Sequence, residues 1–391
     1  MTDLDLLFLV LAAIYLHQCL LWVPADATVF RQGWRGKWRV VRRGLQFAEG
    51  KSRGLLAPPL PPLQGLTACE PWPLALSPLG FAAPESPPKA MLRPHQPEPR
   101  QFRWSEVQLI VPGDKKICVD DQMSLLMGSP AAAQHWAHLL ESLRRMTPQQ
   151  REAELQREFA RQFSTEAVAA RLAAWREGSF NLRLACNSLF AVLFAIAPVH
   201  VWRQMIAHTW PLLVAYLVAH AILITWLFRR FHRSLYPEES EARWTNTLLI
   251  LVSPPVAVRA LDVVQRDLFH SYHPAAVAAV LCDHAEARRV AGRALRELRY
   301  PLPAASDPED GIRRETEDWF RVHLGQALEK FLLANGMPPG ELLSPPQRLS
   351  DRCVTYCPRC CNQFVVEAGT CSDCPGVTLL HFSPATHAAG M

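Results

Sequence analysis

The residues best suited to chemistry are cysteines near the end of this 391-residue chain, which contains 11 cysteines in all. Four of them form two Cys-x2-Cys pairs, Cys357 with Cys360 and Cys371 with Cys374, with ten residues between the pairs. Each pair places two thiolates on a tight turn as two corners of a tetrahedron, and two pairs complete a four-sulfur metal site. The spacing predicts one structural Zn²⁺ per chain, and the alternatives are iron bound as in rubredoxin and redox-active thiols or disulfides.

The segment that holds these pairs, Tyr356–Phe382, resembles a zinc ribbon. Phe364–Val366 is predicted to form one of its strands and Val377–Phe382 the returning strand. The resemblance implies a small metal-stapled β module of a kind that mostly serves protein or nucleic-acid contacts. Cys353 and Cys361 depart from the minimal pattern, and either could replace a neighbour as a ligand. The rest of the chain suggests no family.

Polar residues inside apolar segments are the next candidates, because an ionisable group within a membrane span is costly. His17 and His220 are predicted to lie at comparable depths, and Asn187 is placed to reach His17. These residues could form a proton or metal relay, or they could make neutral hydrogen bonds between helices. The predicted spans contain no acid except Asp5, at the outer end of the first span, which favours the neutral hydrogen bonds.

Signals for catalysis are weaker elsewhere in the sequence. It lacks an H-E-x-x-H motif, a G-x-S-x-G motif, a Walker loop, a dinucleotide fingerprint and a kinase signature. An enzyme acting at the membrane face would assemble its catalytic groups from three histidines: His270, His273 and His284. The missing motifs lower the expectation of an enzyme without excluding one.

Three apolar segments are predicted to cross a membrane: Leu4–Val23, Leu184–Trp202 and Thr209–Phe228. A helix of about 20 residues spans a hydrocarbon core of about 30 Å. The first five residues contain two acids, Asp3 and Asp5, and no basic residue, which favours an uncleaved anchor over a signal peptide. A fourth segment, Leu248–Val258, is too short to span and is broken by Pro254, so we expect an interfacial or re-entrant position.

Basic residues predict the orientation of these segments. Eight follow the first segment: Arg31, Arg35, Lys37, Arg39, Arg42, Arg43, Lys51 and Arg53. Three more follow the third segment: Arg229, Arg230 and Arg233. Because basic flanks stay in the cytoplasm, the N-terminus is predicted outside and the C-terminus inside a bacterial inner membrane. A cytosolic C-terminus also agrees with reduced cysteine thiolates.

The predicted fold class is an α+β membrane protein with six parts. These are an N-terminal anchor (1–23), a cytosolic α+β domain (24–183) with a proline-rich segment (55–100), and a transmembrane helical hairpin (184–228). They continue with a cytosolic helical region (229–335), a linker (336–352), and the zinc ribbon with its tail (353–391).

Local patterns predict the secondary structure of the parts outside the membrane. A strand pair is predicted to include Trp38–Val41, close to the membrane. A β-hairpin is predicted over Phe102–Asp121, with Val107, Leu109 and Val111 alternating along its first strand. Helices are predicted to begin at Pro130 and Pro148 and to cover Ser164–Arg176, Pro274–Tyr300 and Arg313–Asn335.

Composition limits the classes of function. A net charge of +5, with 49% hydrophobic and 20% charged residues, excludes a disordered chain, and a nucleic-acid partner is not expected. We expect a membrane-anchored scaffold or regulator that presents the ribbon to a cytosolic or membrane protein, with the lipid bilayer as its other partner. The alternatives are the membrane-face enzyme and a small transporter or channel subunit that uses His17 and His220.

Overall fold

The computed structural model combines helices with short antiparallel strands. It describes residues 3–19, 21–24, 27–33, 36–41, 53–56, 65–69, 72, 74–82, 101–113, 116–120, 123–127, 130–203, 206–236, 241–266, 268–302 and 311–382. Most of the proline-rich segment lies outside these residues, and so does the tail after residue 382. One hydrophobic core runs from the N-terminal strands to the last long helix.

The first helix, α1 (Asp3–Gln18), is apolar but shorter than the predicted span. At 1.5 Å per residue its length is about 24 Å. Strand β1 (Leu21–Pro24) follows and pairs antiparallel with β4 (Arg53–Leu56). The prediction of one helix from Leu4 to Val23 is therefore wrong at its C-terminal end, because β1 satisfies its backbone hydrogen bonds by pairing with a distant strand.

Two three-stranded antiparallel sheets follow α1. Their strands are β2 (Thr28–Gln32), β3 (Trp38–Val41) and β5 (Leu66–Cys69) in one sheet, and β6 (Ala75–Leu76), β7 (Gly80–Ala82) and β8 (Gln101–Arg103) in the other. The predicted strand pair is present as β2 and β3, in which Arg31 lies opposite Arg39. Both arginines are exposed, so this sheet presents positive charge to its surroundings.

The predicted β-hairpin is present, but different residues point into the core. Its strands are β9 (Ile110–Pro112) and β10 (Lys116–Val119), and β11 (Met123–Leu126) extends the sheet. Ile110 and Val119 are paired and buried, whereas Leu109 and Val111 are exposed. The predicted alternation through Leu109 and Val111 is wrong, because β9 begins at Ile110 and this residue faces the core, so Val111 points away from it. Leu109 precedes the strand, and its backbone N–H donates to the Asp120 carboxylate (2.6 Å).

Three helices follow, close to where the sequence predicts them. They are α2 (Pro130–Arg144), α3 (Pro148–Gln162) and α4 (Thr165–Gly178). Thr147 and Gln150 form a capping box at the start of α3. The Ser164 hydroxyl accepts the backbone N–H of Ala167 (3.1 Å) at the start of α4.

Two runs of helix in the described residues are long and apolar enough to cross a membrane, Phe180–Trp202 and Thr209–Leu235. The first combines α5 (Phe180–Ala191), a π-helical turn (Val192–Ile196) and α6 (Ala197–Trp202), and the second lies within α7 (Ile206–Leu235). In the most apolar 18-residue stretch of each run, only 28% and 22% of the residues are buried. Core helices of a water-soluble domain would bury most of such a surface.

The apolar segment after α7 is divided between two short helices. These are α8 (Glu241–Val252) and α9 (Pro254–Val258), followed by α10 (Ala260–Arg266). The break at Ser253 agrees with the predicted interruption by proline. Leu248, Leu249 and Val252 are exposed on α8, whereas α9 is mostly buried. Whether α8 lies in a membrane interface remains a prediction.

The predicted helix Pro274–Tyr300 is two helices. They are α11 (Pro274–Leu281) and α12 (His284–Arg299), and α13 (Gly311–Ala334) follows as predicted. The prediction of one helix is wrong because Cys282 has an extended backbone. Asp283 then starts the second helix by accepting the backbone N–H of Glu286 (2.9 Å).

The first part of the predicted linker packs against the helices. It contains α14 (Pro339–Leu342), and both Met337 and Leu342 are buried in the main core. Arg288 of α12 forms an ion pair with Glu341 (2.9 Å). The chain therefore leaves the helical core only after about residue 343.

Candidate metal centre

Three two-residue strands frame the four cysteines. They are β12 (Thr355–Tyr356), β13 (Gln363–Phe364) and β14 (Leu380–His381), with β12 in the middle. The predicted strand Phe364–Val366 is wrong after Phe364, because the chain bends at Val365. The Thr355 hydroxyl fixes this bend by donating to the carbonyl of Val366 (2.7 Å).

The first cysteine pair lies on a turn closed by backbone hydrogen bonds. The N–H of Cys357 donates to the carbonyl of Asn362 (2.9 Å), and the N–H of Cys361 donates to the carbonyl of Cys357 (2.9 Å). Cys361 has a φ of 64°, in the left-handed region that favours glycine. This turn keeps the Cys357 and Cys360 side chains on the same side of the chain.

The second cysteine pair lies on a similar turn. The N–H of Cys371 donates to the carbonyl of Val377 (2.9 Å), and the N–H of Val377 donates to the carbonyl of Cys374 (3.0 Å). Gly376 supplies the left-handed residue, with a φ of 77°. The side-chain amide of Asn362 donates to the carboxylate of Asp373 and so links the two turns.

The four cysteine sulfurs form one compact group. The Sγ atoms of Cys357, Cys360, Cys371 and Cys374 all lie within 4.8 Å of one another. The Sγ atoms of Cys360 and Cys371 are 3.6 Å apart. Sulfurs at the corners of a tetrahedral site with bonds of ~2.3 Å would be about 3.8 Å apart. The group can therefore hold a metal ion, and Cys353 and Cys361 lie outside it.

Hydrogen bonding and burial give the thiols different acidities. Burial opposes ionisation of Cys357, but hydrogen bonds from the backbone N–H groups of Cys360 and Arg359 and from the Cys360 and Cys371 thiols together lower the pKa of this thiol. Burial, together with the charge of Cys357, raises the pKa of Cys374 to about 11. Four thiols at this spacing cannot all ionise alone, whereas a bound cation favours the thiolate at each position.

Arg359 connects the group of four cysteines to the helical body. Its Nη1 donates to the carbonyls of Glu297 (2.9 Å) and Tyr300 (2.7 Å), at the C-terminal end of α12. A cation at a helix C-terminus satisfies free carbonyls and interacts favourably with the helix dipole. The Cys-x2-Cys spacing gives no signal for this contact, because Arg359 and its acceptors are about 60 residues apart in sequence.

The structure does not bring together the polar residues predicted within the spans. His17 is exposed on α1, and no hydrogen bond between described residues joins it to Asn187. His220 instead contacts Ser188 of α5, with its Nε2 3.4 Å from the Ser188 hydroxyl. Nothing in the sequence singles out Ser188 as the partner of His220.

The three histidines considered for an enzyme at the membrane face lie in different environments. The ring of His270 is 5.8 Å from that of His135. His273 caps α11, since its Nδ1 accepts the backbone N–H of Ala275 (3.1 Å). His284 is exposed on the first turn of α12. The contacts of the described residues give these histidines no shared site.

The chain matches no protein family, no curated protein and no solved structure among those with which it was compared. A function for it rests on the geometry of its own residues.

Proposed function

We propose that this protein is a membrane-anchored scaffold or regulator that holds a zinc ribbon against its helical body and presents the ribbon to a protein partner. The observation that carries the proposal is the compact group of four cysteines, joined to α12 by Arg359. A four-thiolate site leaves no coordination position for a substrate, so its role is structural.

Zinc is the metal we propose for the site. Thiolates are soft ligands, and a tetrahedral set of four is typical of structural zinc. Three of the four cysteines, all but Cys360, are buried, which limits the access of solvent and oxidants. Zinc would hold the four sulfurs together, while the hydrogen bonds of the two turns orient them.

Exposed apolar helices support a membrane location. On α5 to α7 the exposed large side chains include Leu184, Trp202, Leu212 and Trp226, with exposed fractions of 63, 85, 74 and 56%. Soluble proteins rarely expose continuous apolar surface of this extent. The basic end of α7, with Arg230 lying over the ring of Trp226, is the end that we place in the cytoplasm of a bacterial cell.

Exposed valines make the ribbon suitable for a protein contact. Val365 and Val366 are 67% and 49% exposed, where the chain bends after β13. Leu349 is also exposed, and its backbone N–H donates to the side chain of Gln363 (2.9 Å). We propose that these three residues form the partner surface, because apolar side chains gain free energy when a protein covers them.

The test of the scaffold role is partner capture after cross-linking in intact cells and mild detergent extraction. Val365→Ser/Val366→Ser should lose one specific cross-linked protein while keeping its zinc and its expression level. The matched control is Val322→Ser, since Val322 is a similarly exposed valine on α13. Identical cross-linked proteins in the parent and in the double variant would contradict the proposed partner surface.

The proposed orientation has a separate test. A reporter fused after Met391 should be active only in the cytoplasm, and one inserted between Trp202 and Thr209 only outside. Because basic flanks set the orientation, replacing Arg229, Arg230 and Arg233 by Ser should reduce the fraction with a cytoplasmic C-terminus. A C-terminal reporter that is active outside would refute the orientation and with it the cytosolic ribbon.

A further inference from the structure

A serine, a tyrosine and a histidine form a hydrogen-bonded group between α5 and α7. The hydroxyls of Ser188 and Tyr216 are 2.7 Å apart, and the Ser188 hydroxyl is 3.4 Å from Nε2 of His220. Nδ1 of His220 is 3.3 Å from the backbone carbonyl of Tyr216. All three side chains are partly buried, so the group is neither sealed in the core nor fully exposed.

These contacts determine the direction of each hydrogen bond. A carbonyl oxygen only accepts, so Nδ1 of a neutral His220 carries the proton and donates it to Tyr216. Nε2 then carries the lone pair and accepts from the Ser188 hydroxyl. The Tyr216 hydroxyl in turn donates to the Ser188 oxygen. Ser188 therefore has a base directed at its proton, and the base is oriented by a third group.

We propose that Ser188 and His220 are a nucleophile and general base for the cleavage of acyl esters. A separation of 3.4 Å is at the long end for such a pair, and nucleophile–base contacts are often looser before substrate binds. In this proposal Tyr216 is the donor for the oxyanion, because its hydroxyl already lies beside the attacking oxygen. This activity goes beyond the proposed scaffold role.

Exposed leucines next to the group indicate the class of substrate. Leu184 lies one helical turn before Ser188, and Leu212 lies one turn before Tyr216. A hydrogen bond joins His200 to Thr209 (3.3 Å) close to the connection between α6 and α7, and another joins Ser188 to Tyr216 further from this connection. The run that contains α5 and α6 is therefore antiparallel to α7. The leucines therefore flank the polar group on both sides. A long acyl chain fits such an apolar surface better than a peptide does.

The proposed reaction proceeds in two balanced steps. The Ser188 oxygen attacks the ester carbonyl carbon while Nε2 of His220 takes its proton, and the tetrahedral intermediate expels an alcohol that receives this proton. Water then attacks the acyl-serine, again losing a proton to His220. The fatty acid is released and Ser188 regains its hydrogen. Water is the only co-reactant.

The test uses the full-length protein in detergent with a fluorophosphonate probe, which reacts with activated serines. Mass spectrometry should find the probe on Ser188, and Ser188→Ala should abolish the labelling. His220→Gln should slow the labelling by at least ~100-fold, the usual contribution of a general base. The matched control is Ser234→Ala on α7, whose hydroxyl donates only to the carbonyl of Phe231 (2.7 Å) and should not affect labelling.

Other outcomes overturn the proposal, provided that circular dichroism shows each variant folded. No probe on Ser188 of the folded parent would mean that the group only holds α5 and α7 together. Labelling of Ser188 at the same rate in His220→Gln would exclude His220 as the base. For the substrate class, p-nitrophenyl dodecanoate should be cleaved faster than the butyrate, and the reverse order would refute an acyl-chain site. The probe reaction needs neither partner nor membrane, so it can fail independently of the scaffold role.

Discussion

Removing the second cysteine pair should separate the metal-dependent part of the chain from the rest. Zinc bound to a small module supplies about 10–16 kcal/mol, whereas the aliphatic side chains buried beside the four cysteines, Val377 and Leu379, supply ~1.5–3 kcal/mol each. In Cys371→Ser/Cys374→Ser the metal contribution is lost and the ribbon should unfold. The helical body has its own core and should remain folded.

The structure also predicts where a protease would cut this variant. Met337 and Leu342 are buried in the helical core, and Glu341 is paired with Arg288. Cleavage should therefore begin after Leu343 and leave a stable fragment that ends near this residue. A cut at Gly336 would be expected only if the predicted linker were free throughout its length.

The assays are elemental analysis and limited proteolysis with mass spectrometry on the purified protein. The parent should contain one zinc per chain and the double variant none. Cys118→Ser/Cys353→Ser is the matched control, because both cysteines are half-buried and lie outside the sulfur group. Zinc retained in the double variant would refute the ligand assignment. Protease sensitivity of the whole chain would show that the body depends on the ribbon.

Three further predictions follow from single residues. Arg359→Ala should keep its zinc but lose two charge-assisted hydrogen bonds to α12, worth about 1.5–3 kcal/mol each, so the ribbon should become more sensitive to protease. Cys361→Gly should bind zinc as the parent does and raise the ribbon's thermal stability by about 1 kcal/mol, because it relieves a left-handed backbone; loss of zinc would make Cys361 a ligand. Burial lowers the pKa of His273 from 6.5 to about 3. Below pH 6.5 the unfolded chain binds a proton at this histidine that the folded chain excludes. The free energy of unfolding therefore decreases as the pH is lowered, and it should be about 2 kcal/mol smaller at pH 5 than at pH 7. In His273→Asn, which keeps a hydrogen-bond acceptor at the cap, denaturant unfolding should show a smaller loss of stability between pH 7 and pH 5 than in the parent. An equal loss in the two proteins would contradict the assignment to His273.

The group of four cysteines was predictable because its geometry is local. Each Cys-x2-Cys pair determines its own turn, and the two turns need only meet. Arg359 was not predictable as a contact, because its acceptors become available only when α12 ends beside the ribbon. The end of α1 was predicted wrongly for the same reason, since β1 forms by pairing with a strand about 30 residues away.

The sequence contains a signal for the break between α11 and α12, but the apolar residues around the break obscure this signal. Asp283 and Glu286 have the spacing of a helix start, and the structure uses Asp283 as the cap. Apolar residues on both sides of Cys282 continue the helical period across the break. A prediction from periodicity alone therefore gave one helix, although the capping signal at Asp283 marks the start of a second.

Pairing within the apolar helices shows a different limit of the sequence. Depth along a helix can be counted at 1.5 Å per residue, but each residue also turns the side chain by about 100°. Asn187 and its neighbour Ser188 therefore point in different directions, and only Ser188 reaches His220. A helix that is apolar on every side has no periodicity to show which face turns inward. In α5 that face is set by the burial of Cys186 and Leu189 against the body, a contact between distant parts of the chain.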